Sequence, residues 1–168
     1  MLEKLFPKQY LDSVYEIDFD YFKRIGFEAI VFDIDNTMVP HGAPATQENI
    51  ELFERLHKMG FQTCALSNNK EPRVKMFCDA VHSQYIYKGG KPSVNGYERA
   101  MEKCGSNRKN TLFIGDQIFT DIWGANKAGL YSILLKPIHP KEEIQIVLKR
   151  KLEWFVLKAY KRSLKKRK

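Results

Sequence analysis

The chain has 168 residues, 43% hydrophobic and 29% charged, which fits one globular domain with a sizeable core. No apolar run is long enough to cross a bilayer, and no signal peptide is expected from the short, polar stretch Met1–Pro7. The formal charge of +8 is uneven: residues 149–168 carry ten Lys or Arg against one acid, Glu153, so the remainder is close to neutral.

Residues 1–26 read as a lead-in, with Asp18 capping a short helix from Phe19 to Ile25 that Gly26 ends. A first strand is expected over Phe27–Asp33. Pro40, Gly42 and Pro44 mark a loop, and Thr46 then caps a helix running to Gly60, with Asn49 where a capping box prefers Glu or Gln. Gln62–Leu66 reads as a second strand, followed by a helix over Pro72–Ala80 and a short strand over Ser83–Tyr87. Ser93 is placed to cap a helix reaching Cys104. Thr111–Ile114 is the fourth strand and Thr120–Ala128 the next helix. Tyr131–Leu135 is the last strand, and a long helix is expected from Lys141 past Tyr160. The alternation predicts an α/β fold: a Rossmann-like three-layer sandwich with a mainly parallel sheet, built from right-handed βαβ units. The domain organisation expected is a lead-in at 1–26, a core at 27–140, and a basic amphipathic helix and tail at 141–168. Cys64, Cys78 and Cys104 are odd in number and form no CxxC pair. They read as reduced, packed thiols of a cytoplasmic protein rather than a zinc site.

The polar residues collect at the strand ends, where parallel sheets bind ligands. The first strand ends in Asp33 and Asp35, which share a face if the extended backbone persists. Two adjacent carboxylates repel, so a cation, a shared proton or nearby positive groups must offset the cost. The second strand ends in Ser67-Asn68-Asn69. Lys91 stands in a Gly-Gly-Lys-Pro turn after the third, and the fourth ends in Gly115-Asp116, with Asp121 five residues on. Each alone has a plainer reading. Ser67-Asn68-Asn69 makes an ordinary turn, Lys91 a solvated loop lysine, and Asp121 a carboxylate favoured by a helix N-terminus. Four such strand ends in order are harder to explain separately.

Asp33-x-Asp35-x-Thr37, Ser67 after an apolar strand, Lys91-Pro92 and Gly115-Asp116-x-x-x-x-Asp121 resemble the four motifs of the haloacid dehalogenase (HAD) superfamily, over about Phe27 to Leu135. Phe32-Asp33-Ile34-Asp35-Asn36-Thr37, with the lead-in Val14-Tyr15-Glu16-Ile17-Asp18, is similar to the YqeG-type phosphatases of subclass IIIA, whose relatives include phosphatidylglycerophosphate phosphatases. The resemblance implies a phosphatase with Asp33 as nucleophile and Asp35 as the acid and base that serves the leaving oxygen and then water. It implies Mg²⁺ held by the Asp33 carboxylate, the Asp35 carbonyl and Asp116. Ser67, Asn68 and Lys91 would meet the phosphoryl group, Asp121 would stand behind Lys91, and Thr37 would shape the turn. No cap domain fits between the motifs, so a capless HAD-like fold with an open site is expected, the loop His41–Ala45 being its only lid.

In the C-terminal segment Ile144, Val147, Leu148, Leu152, Phe155, Val156 and Ala159 recur near helical spacing, with lysines and arginines opposite. Three partners suit it: the sheet of its own domain, an anionic membrane surface, or nucleic acid and ribosome. The resemblance to the YqeG-type phosphatases implies phosphatidylglycerophosphate as the first substrate to expect. The alternatives are a soluble metabolite, nucleotide or phosphoprotein, or an RNA- or ribosome-binding role for the basic tail.

Overall fold

A computed structural model describes residues 2–139 and 144–166. Its sheet contains β1 (Gln9–Leu11), β2 (Ala29–Phe32), β3 (Gln62–Leu66), β4 (Gln84–Ile86), β5 (Thr111–Gly115) and β6 (Tyr131–Leu135). The strands are all parallel, in the order β1-β6-β5-β2-β3-β4. Around it lie α1 (Phe19–Arg24), α2 (Gln47–Lys58), α3 (Glu71–Ala80), α4 (Val94–Lys103), α5 (Trp123–Ala128) and α6 (Ile144–Lys166).

The side-chain period of two in β2 produces the layers. Ile30 and Phe32 point to one face and pack with Phe22, Phe53 and Phe77 of α1, α2 and α3. Ala29 and Val31 point to the other and pack with Tyr97 and Ala100 of α4 and with Ala125 and Ala128 of α5. Every residue of β2 is buried, as a central parallel strand covered on both faces requires.

Several elements differ from the sequence expectation. The lead-in contains β1, which pairs with β6 in the register Gln9 with Ile133 and Leu11 with Leu135, so it belongs to the sheet. Asn49 does close the capping box with Thr46, because this buried residue has further work. Its Oδ1 accepts from the Thr46 N–H at 3.0 Å while its Nδ2 donates to the Tyr15 hydroxyl at 3.1 Å and the Met38 carbonyl at 3.3 Å. Ser93 precedes α4 without a side-chain capping bond. The helix expected over Thr120–Ala128 is two pieces, a π-turn over Ile118–Ile122 and then α5. The predicted start of the last helix, at Lys141, lies outside the described residues. On α6 the buried side carries Glu153, Val156 and Tyr160, with Val156 against Ile118, Ile122 and Leu134, whereas Leu152, Trp154 and Phe155 face outward. The apolar stripe read from spacing is thus split between the core and the surface.

Candidate active site

β2 lies between β3 and β5, and the chain leaves it in opposite directions: β3 and β4 to one side, β5 and β6 to the other. That is the switch point where an open parallel sheet leaves a crevice. Asp33 follows β2 directly, its N–H donating to the Ile114 carbonyl at 2.9 Å and so continuing the ladder. The strand then stops. Asn36 takes a left-handed backbone (φ 61°), and its N–H donates to the Val39 carbonyl at 2.7 Å, folding the chain back on itself. Ser67 follows β3, Lys91 the turn after β4, and Asp116 follows β5. An open cleft of about 390 Å³ at this edge is bordered by Asp33, Asp35, Ser67, Asn68 and Lys91, with Lys149 of α6 at its rim. No cap domain interrupts the strand–helix succession among the described residues.

Lys91 organises the inner part. Its Nζ donates to Asp33 Oδ1 at 2.6 Å and to Asp121 Oδ1 at 2.7 Å, and all three side chains are buried. Asp121 reaches this point because the π-turn swings it toward β5, where its Oδ2 accepts the N–H groups of Asp116 (3.1 Å) and Gln117 (3.0 Å). Gly115 makes room: a Cβ there would stand 2.6 Å from the Asp121 Cβ. The Thr37 hydroxyl lies between Asp33 Oδ2 (3.2 Å) and Asp116 Oδ1 (3.0 Å), joining two motifs 79 residues apart. Asn68 clamps the lysine's backbone, donating to the Lys91 carbonyl at 3.1 Å and accepting from its N–H at 2.8 Å. Ser67 is buried, and its Oγ accepts the Asn69 N–H at 3.1 Å.

Asp35 has a separate set of partners. Its Oδ1 accepts from Arg73 Nε (3.1 Å) and Nη2 (2.8 Å) and from the Gly42 N–H (2.9 Å), and its Oδ2 from Asn69 Nδ2 (3.2 Å). The expected sharing of a face with Asp33 therefore does not lead to shared contacts: the turn at Asn36 and the pull of Arg73 give each carboxylate its own cation. The loop containing Gly42 is tied to the site through Asp35, with His41 Nδ1 4.0 Å from the same oxygen.

These surroundings shift the acids in opposite directions. Burial pushes Asp33 up to about 6, against the pull of Lys91 and with the repulsion of Asp121. Burial, then Asp121 and Asp33, raise Asp116 well above the ordinary carboxylate range, with Arg150 opposing. Burial would raise Asp35 too, but the Gly42 N–H and Arg73 outweigh it and hold the carboxyl low. Burial disfavours the Lys91 ammonium, yet Asp121 and Asp33 keep it charged and raise its value. Such divided titration within one cleft is typical of functional sites.

Asp33, Asp116 and Asp121 each bring a carboxylate oxygen to within 4.8 Å of the others, all buried. Carboxylates gathered this closely fit a hard divalent cation, and their surplus over Lys91 and Arg150 supplies the attraction, although both Asp121 oxygens already bond Lys91 and the Asp116 and Gln117 N–H groups. The Asp35 carboxylate stands outside this trio.

Four contributors were not apparent in the sequence: the linking hydroxyl of Thr37, Arg73 beside Asp35, and the α6 pair Arg150 and Glu153, which grips the Asp116 turn. One signal was present, since Glu153 is the sole acid among the ten bases of the last twenty residues.

The family description "haloacid dehalogenase-like hydrolase" matches residues 48–129. A probable phosphatase, YqeG, of Bacillus subtilis is 33% identical, the match covering 97% of this chain and 96% of that protein. Phosphatidylglycerophosphate phosphatase 1 of Arabidopsis thaliana is 27% identical over 88% of this chain and 45% of its own length. A HAD-superfamily hydrolase from Ehrlichia chaffeensis has the same fold, with a TM-score of 0.53 and 16% identity over 77% of this chain and 96% of that one. With the acidic trio at the switch point and a relative matched along nearly its whole length, the chain belongs to the haloacid dehalogenase-like hydrolases and is a phosphatase of that superfamily.

Proposed function

We propose that this phosphatase hydrolyses phosphomonoesters through an aspartyl-phosphate on Asp33, with Mg²⁺ as its cation. The observation that carries this reading is the buried Asp33 carboxylate, 2.6 Å from Lys91 Nζ, within the acidic trio. Asp33 Oδ attacks phosphorus, the new O–P bond forms and the bond to the substrate's alcohol oxygen breaks. Asp35 passes that oxygen a proton, which it must first take from the substrate's phosphate or from solvent because its partners hold it ionised. Water then attacks the phosphoryl-aspartate, its proton passes to Asp35, and inorganic phosphate leaves. The partners that hold Asp35 ionised favour the form needed in the second step. Lys91 keeps its charge beside the nucleophile and neutralises the transferring group, with Asp121 fixing its ammonium. Ser67, whose Oγ accepts from Asn69, retains its proton for a phosphoryl oxygen, and Asn68 holds Lys91 at the cleft wall. Asp33 and Asp116, with the Asp35 carbonyl, would hold the cation, which when bound screens the phosphate from the carboxylates. Phosphate release from p-nitrophenyl phosphate, with Mg²⁺ and with EDTA, tests this. Asp33→Asn should lose essentially all Mg²⁺-dependent turnover, and wild-type turnover in that variant refutes the nucleophile.

For the substrate we propose a phosphorylated lipid headgroup, with phosphatidylglycerophosphate first. The similarity to the Arabidopsis enzyme supports it, as do the uncapped cleft, Lys149 at its rim and the exposed Leu152, Trp154 and Phe155 on α6, a face able to meet an anionic membrane. No helix of the described residues is long and apolar enough to cross one. Phosphate release from this lipid in vesicles should exceed that from soluble phosphoesters at equal concentration. The reverse preference refutes the lipid reading.

A further inference from the structure

Helix α6 reaches the site at Asp116, the carboxylate of the trio that Lys91 does not touch. Arg150 and Glu153, one turn apart, both project inward: their side chains are 20% and 6% exposed, and the Asp116 side chain that Arg150 meets is fully buried. Arg150 Nη2 donates to Asp116 Oδ2. Its Nη1 donates to the Asp116 carbonyl at 2.5 Å and to Glu153 Oε2 at 2.9 Å. The other oxygen of Glu153 accepts the Ile118 N–H at 2.6 Å.

The N–H groups of residues 116, 117 and 118 therefore all end on carboxylates, two on Asp121 and one on Glu153. The Asp116 carboxylate is held from two sides, by Thr37 at Oδ1 and Arg150 at Oδ2. A helix needing only an anchor would obtain it from the apolar contacts of Val156 and Tyr160. Burying an arginine and a glutamate carries a desolvation cost, which their hydrogen bonds to Asp116, to the Ile118 N–H and to each other offset by fixing a definite geometry.

We propose that Arg150 and Glu153 are positioning residues that present Asp116 to the divalent cation, which makes the C-terminal helix a working part of the site. This rests on reading Asp116 as a cation ligand. Groups that orient a ligating carboxylate usually affect metal affinity about 10–100-fold when removed.

The test uses the full-length chain and Mn²⁺ as the probe, its free concentration read by electron paramagnetic resonance, with thermal unfolding in EDTA as the check on folding. Arg150→Met should weaken Mn²⁺ binding at least about tenfold at temperatures where it remains folded. Arg150→Lys, which keeps the charge but lacks the planar fork, should fall between Met and wild type. Glu153→Gln should weaken binding less than Arg150→Met, because its amide oxygen still accepts the Ile118 N–H. Lys151→Ala, on the exposed side of the same helix, should leave binding unchanged. A folded Arg150→Met protein that binds Mn²⁺ as tightly as wild type, or more tightly, overturns the proposal while leaving the phosphatase reading intact. A wild-type chain that binds no Mn²⁺ overturns both.

Discussion

Replacing Lys91 with Met removes the cation that Asp33 and Asp121 share while keeping most of the side chain's volume. The Lys91, Asp33 and Asp121 side chains are 4%, 9% and 1% exposed, so bulk solvent screens the pair poorly and does not replace the ammonium's charge. Breaking a buried pair by removing one partner costs about 3–5 kcal/mol. For a domain of this length 1 kcal/mol moves Tm by about 2–4 °C, so the variant should melt about 6–20 °C below wild type at pH 7.5. The sign of the pH dependence follows from Asp33. Its carboxyl is already raised to about 6 in the folded protein, above its unfolded value, and losing Lys91 raises it further. A carboxyl that binds its proton more tightly when folded gains stability as pH falls, so the deficit should shrink between pH 7.5 and pH 5. Thermal unfolding of both proteins in EDTA at the two pH values measures this. A Tm within about 2 °C of wild type at pH 7.5, or a deficit that grows on acidification, would refute the account of Lys91 as the counter-ion of a buried acidic cluster.

Arg73→Met should destabilise by about 2 kcal/mol at pH 7, because Asp35 keeps its charge but loses both guanidinium bonds. Asp35 is held below its unfolded value, so the pair's stabilisation is present above about pH 4 and lost as pH falls through the folded value. Urea unfolding should therefore separate variant from wild type at pH 7, and the gap should narrow as pH falls below about 4. Gly115→Ala should cost about 1–3 kcal/mol by driving a methyl group into Asp121, and turnover should fall with it. Wild-type stability and activity in that variant would remove the case for close approach. Thr37→Val, nearly isosteric, should cost about 1–3 kcal/mol in denaturant unfolding, because Asp33 and Asp116 lose the hydroxyl between them.

What the sequence reveals best is what depends on neighbours along the chain. The apolar runs in β2, β3 and β5, each stopped by polar residues, locate the strand ends that bear Asp33, Ser67 and Asp116. What it conceals depends on distant partners. β1 is a half-buried triplet whose only reason to be a strand is β6. Arg73 is an ordinary helical arginine until Asp35, 38 residues earlier, is placed opposite it, and Arg150 likewise until Asp116, 34 residues earlier, meets it. Asp33 and Asp35 do border one cleft, as strand parity suggests, but their separate partners, Lys91 and Arg73, come from distant turns and helices that spacing cannot show.

The pairing of Gln9 with Ile133 also governs the order of assembly. During synthesis at about 5–20 residues per second, the first strand to emerge waits roughly 6–25 s for the neighbour it will lie beside. Until β6 arrives, the outer edge of β5 and the whole of β1 present unpaired backbone to any other nascent chain. The first strand made is thus among the last to be seated, and a ribosome that stalls before Tyr131 releases a chain with an open sheet edge.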